Sequence, residues 1–73
     1  MGNPEAEIDK FLRRNVLEEM TGLSRSTIYA KLDPNSPQHD PDFPKAVRIG
    51  PRAVAWRASE VIAWMNSRES TAA

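Results

Sequence analysis

Few side chains in this chain could do chemistry, and their types exclude most reactions. His39 is the single histidine and cysteine is absent. Neither a nucleophile-histidine-acid relay nor a zinc site built from several histidines or thiolates can therefore be assembled. The stretch DPNSPQHDPD, residues 33–42, gathers acidic and amide side chains that could invite calcium. It lacks the glycine and the terminal glutamate of an EF-hand loop, and its prolines oppose that geometry. No catalytic residue, metal ligand or cofactor is expected, and the chain reads as a non-enzyme. What remains are hydroxyls and cations in two clusters. Ser24, Arg25, Ser26, Thr27, Tyr29 and Lys31 lie within TGLSRSTIYAKL, and Lys45, Arg48 and Arg52 lie within FPKAVRIGPRAVAW. Short hydroxyl side chains allow close backbone approach to a partner, and guanidinium groups pair with phosphates and with guanine edges.

Charge refines that reading. The formal net charge is zero and the pI about 6.6, an average that argues against a polyanionic partner. The charges are segregated, however. Glu5, Glu7 and Asp9 crowd the start and Asp33, Asp40 and Asp42 the proline-rich stretch, whereas residues 43–58 carry Lys45, Arg48, Arg52 and Arg57 without one acid. A local field steers a polyanion whatever the mean; the plain alternative is an ordinary solvated basic surface. At 73 residues one domain is expected, of a size that buries only about 60% of its unfolded surface. Without cysteine there is no disulfide to build, and with apolar runs of only a few residues neither a spanning segment nor a signal peptide is expected. A soluble, cytoplasmic protein is expected.

The elements that must position the two clusters follow from periodicity and punctuation. Residues 1–10 read as a flexible polar tail, residues 11–68 as the folded domain and residues 69–73 as a second tail. Phe11 and Leu12 form a short extended lead-in to the core. From Arg14 to Thr21, Val16, Leu17 and Met20 share one face of a helix, which Gly22 stops through a left-handed residue with Leu23 packing behind it. Ser24 is placed to cap a second helix over residues 25–32. Rotation by 100° per residue puts Ile28 and Leu32 inside, Ser26 and Ala30 outside, and Arg25 and Tyr29 on a shared flank. Asp33-Pro34 ends it and a loop follows. Val47 and Ile49, then Val54 and Trp56, alternate with other residues around Gly50-Pro51-Arg52, the pattern of a hairpin with one buried face. Arg48 belongs to its open face and Arg52 to its tip. A last helix, starting near 57–59, presents Val61, Trp64 and Met65 to the core. The core is expected to hold Val16, Leu17, Met20, Leu23, Ile28, Val47, Ile49, Val54, Trp56, Val61, Trp64 and Met65. The fold class is mainly α with a small β-hairpin, a helix-turn-helix carrying a wing.

Three separate segments then match a known family in order: TGLSRSTIY at 21–29, FPK at 43–45, and IGPRAVAW at 49–56 followed by SEVIAWM at 59–65. Over Phe11 to Arg68 the chain closely resembles the AlpA-type phage regulatory proteins, small DNA-binding domains related to excisionases and to the MerR-type winged helix. The resemblance implies a winged helix-turn-helix, with the Ser24–Leu32 helix in the major groove and the wing, residues 45–56, on the adjacent backbone or minor groove. It also implies regulation of prophage or mobile-element genes, or action as an excision directionality factor. Two departures stand out. The connector at 33–42 is long where many relatives pass through a short glycine turn, and Ala30 stands where many carry a long basic side chain.

On that footing the candidate DNA-binding residues take individual roles. Arg25 could read a guanine edge, worth about 1–3 kcal/mol of discrimination, or meet a phosphate. Ser24 caps its helix alongside any contact, and Ser26 and Thr27 can bond phosphate or base. Tyr29 either lies against a sugar or thymine methyl or is a partly buried core residue, and Lys31 is a phosphate ligand or a solvated charge. Arg52 projects furthest and suits a narrow minor groove; Lys45 and Arg48 suit phosphates at the base of the wing. Trp56 and Trp64 belong to the core rather than to base stacking. The partner expected is double-stranded DNA, with an integrase/recombinase or RNA polymerase as a further partner. A protein-interaction module docking a recombinase without DNA is the reading from another class. With no helix bearing a heptad seam, a monomer in solution that binds cooperatively or in tandem is expected.

Overall fold

A computed structural model describes residues 9–68, so residues 1–8 of the tail expected at 1–10, and the tail expected at 69–73, lie outside the described residues. The chain runs β1 (Phe11–Leu12), α1 (Arg14–Thr21), α2 (Arg25–Leu32), β2 (Val47–Gly50), β3 (Ala53–Arg57) and α3 (Ala58–Ser67). This is the helix, turn, helix, hairpin, helix order anticipated from the sequence. Both junctions around the turn between α1 and α2 use the chemistry read there. Gly22 adopts φ 75°, and its amide donates to the Glu18 carbonyl at 2.8 Å. Ser24 sits in extended backbone, and its Oγ accepts from the Thr27 amide at 3.2 Å.

The sheet departs from a plain hairpin. The short lead-in pairs with the hairpin as a third strand, giving the order β1-β3-β2. Both pairings are antiparallel, with Leu12 opposite Trp56, Val47 opposite Ala55 and Arg48 opposite Val54. β3 is thus the central strand, which explains why Ala55 and Trp56, on opposite faces, are both fully buried. An irregularity between Arg48 and Gly50 takes Ile49 out of the alternation, as a bulge does. The core expected from the sequence needs correction here. Ile49 is 41% exposed and Val54 40%. The bulge turns the first away, and the second lies toward the tip of the hairpin, where it lines an open cleft. Met65 at 38% exposure is likewise on a flank of α3 rather than on its buried stripe.

Leu12, Leu17, Ile28, Phe43, Trp56, Ala58 and Val61 make the buried cluster, with Val16, Met20, Leu23, Leu32 and Trp64 packed against it. Each tryptophan has a partner for its indole N–H, as a buried indole requires. Trp56 donates to the Pro44 carbonyl at 3.1 Å and Trp64 to Asp40 Oδ2 at 3.1 Å. Phe43 meets Trp64 edge-on, with ring centroids 5.0 Å apart.

The connector between α2 and β2 is ordered by its own polar side chains. Asp33, Ser36 and Asp40 each accept the amide two residues on through a side-chain oxygen and the amide three residues on through the backbone carbonyl. Three such turns in succession, stiffened by Pro34, Pro37 and Pro41, fold the stretch back so that the Asp40 amide reaches the Lys31 carbonyl at 3.0 Å. Short side chains of this kind imitate a backbone turn. At the other end of the domain, Asp9 and Lys10, read from sequence as the end of a tail, are engaged. The Asp9 carboxylate accepts from the Ser59 amide and hydroxyl at 3.0 and 2.9 Å, and Lys10 accepts from the Ala58 amide. Asp9 therefore serves the first turn of α3, whose own flanking residue Arg57 makes no side-chain cap.

Candidate nucleic-acid interface

The second helix turns one face to the core and leaves the other free. Ile28 is fully buried, while Ser24, Arg25, Ser26 and Tyr29 are exposed. The hydroxyls of the first turn form a local network in which the Ser24 hydroxyl donates to Thr27 Oγ1 at 3.0 Å and lies 3.3 Å from Ser26 Oγ. One turn along, the Arg25 guanidinium stands over the Tyr29 ring, 5.9 Å from its centroid. The residues are four apart, so they meet on one flank, and the ring limits where the guanidinium can swing. Tyr29 is 44% exposed, which removes the reading of it as a core side chain.

The remaining cations separate into two groups. Arg52 lies at the tip of the β2–β3 hairpin and shares a cleft with Tyr29, Val54, Arg13, Arg14 and Asn15. The structure thus brings the tip of the wing and the outer flank of α2 to one opening. Arg48 is exposed, but its Nη1 donates to the Pro51 carbonyl at 3.1 Å, so its guanidinium is held against the turn near Arg52. Lys45 is exposed at the base of the hairpin. Lys31 is not part of this grouping: its ammonium lies 5.6 Å from the centroid of the Trp64 ring, on the side of α2 that meets the connector and α3. Arg13, Arg14 and Asn15 were missed in the sequence reading. The signal available was the Arg13-Arg14 pair immediately before a helix.

Two carboxylates away from this cleft are held below their ordinary values. Burial pushes the Asp40 carboxyl up. The Trp64 indole, the Asp42 amide and the charges of Arg68 and Lys31 together outweigh it and leave the group below the ordinary value. Asp9 is lowered chiefly by the Ser59 amide and then by the Ser59 hydroxyl, against a smaller effect of burial, with help from the Lys10 amide and the Arg57 charge. Among the described residues no group of three or more His, Asp or Glu side chains is placed to hold a metal ion. No described helix is long and apolar enough to cross a membrane.

Comparison with known proteins finds a matching family and relatives. The family model described as prophage CP4-57 regulatory protein (AlpA) matches residues 10–69. A DNA-binding transcriptional activator, AlpA of Escherichia coli, is 37% identical over 59 residues, covering 81% of this chain and 84% of the relative. An uncharacterized protein, ORF88 of Enterobacteria phage P4, is 40% identical over 65 residues, covering 89% of this chain and 67% of the relative. No solved structure matches the chain.

Proposed function

The chain belongs to the AlpA family of prophage regulatory proteins, and from that premise we propose that it is a sequence-specific DNA-binding regulator of prophage or mobile-element genes. In this reading α2 enters the major groove and the β2–β3 hairpin lies on the adjacent backbone or minor groove. The observation that carries it is the division of α2 by face. Ile28 anchors the helix in the core, while the Arg25–Tyr29 pair stands free on the flank that faces the wing tip at Arg52. A helix turned this way offers base-reading and phosphate-reading groups together. The name of the Escherichia coli relative, a DNA-binding transcriptional activator, points the same way.

Each residue has a physical task in that complex. Capped by Ser24, α2 presents its positive end with short hydroxyls at Ser24, Ser26 and Thr27 that bond phosphate or base edge. Arg25, steadied by the Tyr29 ring, reaches a guanine edge. Arg52 enters the minor groove, with Arg48 and Lys45 on phosphates beside it. Lys31, drawn toward Trp64, contributes at most long-range charge. Arg25 and Arg52 in the grooves and Arg48 and Lys45 on the backbone bring about four cationic charges against the duplex, so with one counterion displaced by each the logarithm of affinity should fall against the logarithm of salt with a slope of roughly −3.5. The protein is monomeric in solution and gains specificity by cooperative or tandem binding, since a single module of this kind buries only about 600–1,000 Å² on DNA.

The test is a fluorescence-anisotropy titration of duplexes from the region upstream of the protein's own gene and of its neighbours, repeated across salt concentrations. Salt-dependent binding that weakens in Arg25→Gln and Arg52→Gln is expected. Absence of measurable affinity at low salt, or affinity indifferent to both substitutions, sinks the reading in favour of a protein-docking module.

A further inference from the structure

The cleft shared by Tyr29 and Arg52 has a floor that neither α2 nor the wing provides. Arg13 and Arg14, at the start of α1, and Asn15 line it from below. Three guanidinium side chains therefore border one opening of about 440 Å³, and no carboxylate is among its lining residues. At about 30 Å³ per water that opening has the volume of roughly a dozen waters. The first turn of α1 itself holds no acidic residue and no capping side chain. Glu18, one turn on, comes within 3.0 Å of Arg14 Nε. That nitrogen is nevertheless shielded from solvent without an aligned hydrogen bond, so the pair is close in charge but poorly directed.

We propose that this cleft is the seat of the DNA backbone strand that separates the two grooves, and that Arg13 and Arg14 are phosphate ligands. The inference rests on the preceding reading. If α2 occupies a major groove and Arg52 the adjacent minor groove, one sugar-phosphate strand must pass between Tyr29 and Arg52, because a strand of the duplex backbone always lies between neighbouring grooves. The gap between those two side chains is this cleft, and its floor meets the strand with Arg13 and Arg14 while Asn15 and the Tyr29 hydroxyl offer uncharged donors. Contacts of this kind set position and affinity without reading sequence.

The experiment is the same anisotropy titration on a mixed-sequence duplex, comparing the parent chain with the double variant Arg13→Gln/Arg14→Gln. Two further cations added to those four predict a parent slope of roughly −5.5, and each one removed makes it shallower by about 0.9. The double variant should therefore lose close to two units of slope and bind more weakly at low salt. Arg13→Lys/Arg14→Lys should restore the slope, because a point charge suffices for counterion release. If circular dichroism shows the double variant unfolded, Arg13→Gln alone carries the test, since Arg13 is exposed; a shift of about 0.9 is then expected. A folded variant with the parent slope, while the parent binds, overturns the inference and leaves the proposed function standing. A parent chain that binds no duplex overturns both.

Discussion

Replacing Asp40 tests whether the connector is a structural part of the domain or a passive link. Its carboxylate takes the Trp64 indole N–H at 3.1 Å, the Asp42 amide at 2.9 Å and Arg68 Nη1 at 3.5 Å. Asp40→Ala removes both carboxylate oxygens, and with them the acceptor of all three donors, and leaves the part-buried indole N–H without a partner. Loss of a charged acceptor from such a donor costs about 1.5–3 kcal/mol, and the exposed ion pair adds a few tenths at most. The sum, about 2–3 kcal/mol, corresponds at 4–8 °C per kcal/mol to a fall in melting temperature on the order of 10–20 °C. A domain of this length carries roughly 4–11 kcal/mol of stability, so the variant remains folded and measurable at room temperature. Asp40→Asn keeps an acceptor and loses only the charge, so it should fall between the parent and Asp40→Ala. The pH dependence separates charge from shape. Because the folded state holds the Asp40 carboxyl below its ordinary value of 3.8, the ionised group stabilises fully above that value, and its contribution disappears as pH falls through the lower folded-state value. The gap between parent and Asp40→Asn should therefore be full at neutral pH and close in strong acid. Thermal melts followed by tryptophan fluorescence give both readings. A melting temperature for Asp40→Ala within error of the parent, or an Asn gap that does not close in acid, would refute the assignment.

Substitutions at four further positions probe other parts of the fold. Gly22→Ala meets open space at its new Cβ but keeps φ 75°, so its cost is backbone strain alone, about 1–2 kcal/mol; Gly22→Asn should recover part of it, and a denaturant titration showing no loss for alanine contradicts this. Ala55→Leu, inside the sheet at zero exposure, should destabilise by about 1–3 kcal/mol through overpacking. Val54→Thr should stay within about 0.5 kcal/mol of the parent; the reverse order in chemical denaturation would return Val54 to the core. Asp9→Asn should lower the melting temperature at neutral pH, with the difference narrowing as the medium is acidified below 3.8. The direction follows from a carboxyl held below its ordinary value in the folded state.

The helix limits were legible because their causes are local. Gly22 can take a left-handed conformation, Ser24 can bond an amide three residues on, and Asp33-Pro34 cannot continue a helix, whatever surrounds them. The exposed set on α2 was legible for the same reason, since rotation per residue separates Ile28 from Arg25 and Tyr29. The hairpin was located correctly but its faces were misjudged. Alternation assigns residues to one side or the other of a strand, yet it does not say which strand is central or where a bulge interrupts the count. Ala55 and Ile49 changed places for that reason.

By itself the amino-acid sequence determined where the elements begin and end, which flank of α2 is polar, and the family to which the chain belongs. Only the tertiary structure decided that Asp9 serves the start of α3, through bonds to a residue 50 positions along the chain, and that three turns in the connector deliver Asp40 to Trp64. It also decided that Lys31 turns toward Trp64, whereas Arg13, Arg14, Tyr29 and Arg52 border one cleft. Periodicity and capping act over one or two turns of chain. Which charges share a cleft depends on how helices and strands pack across the core, and no local pattern carries that information.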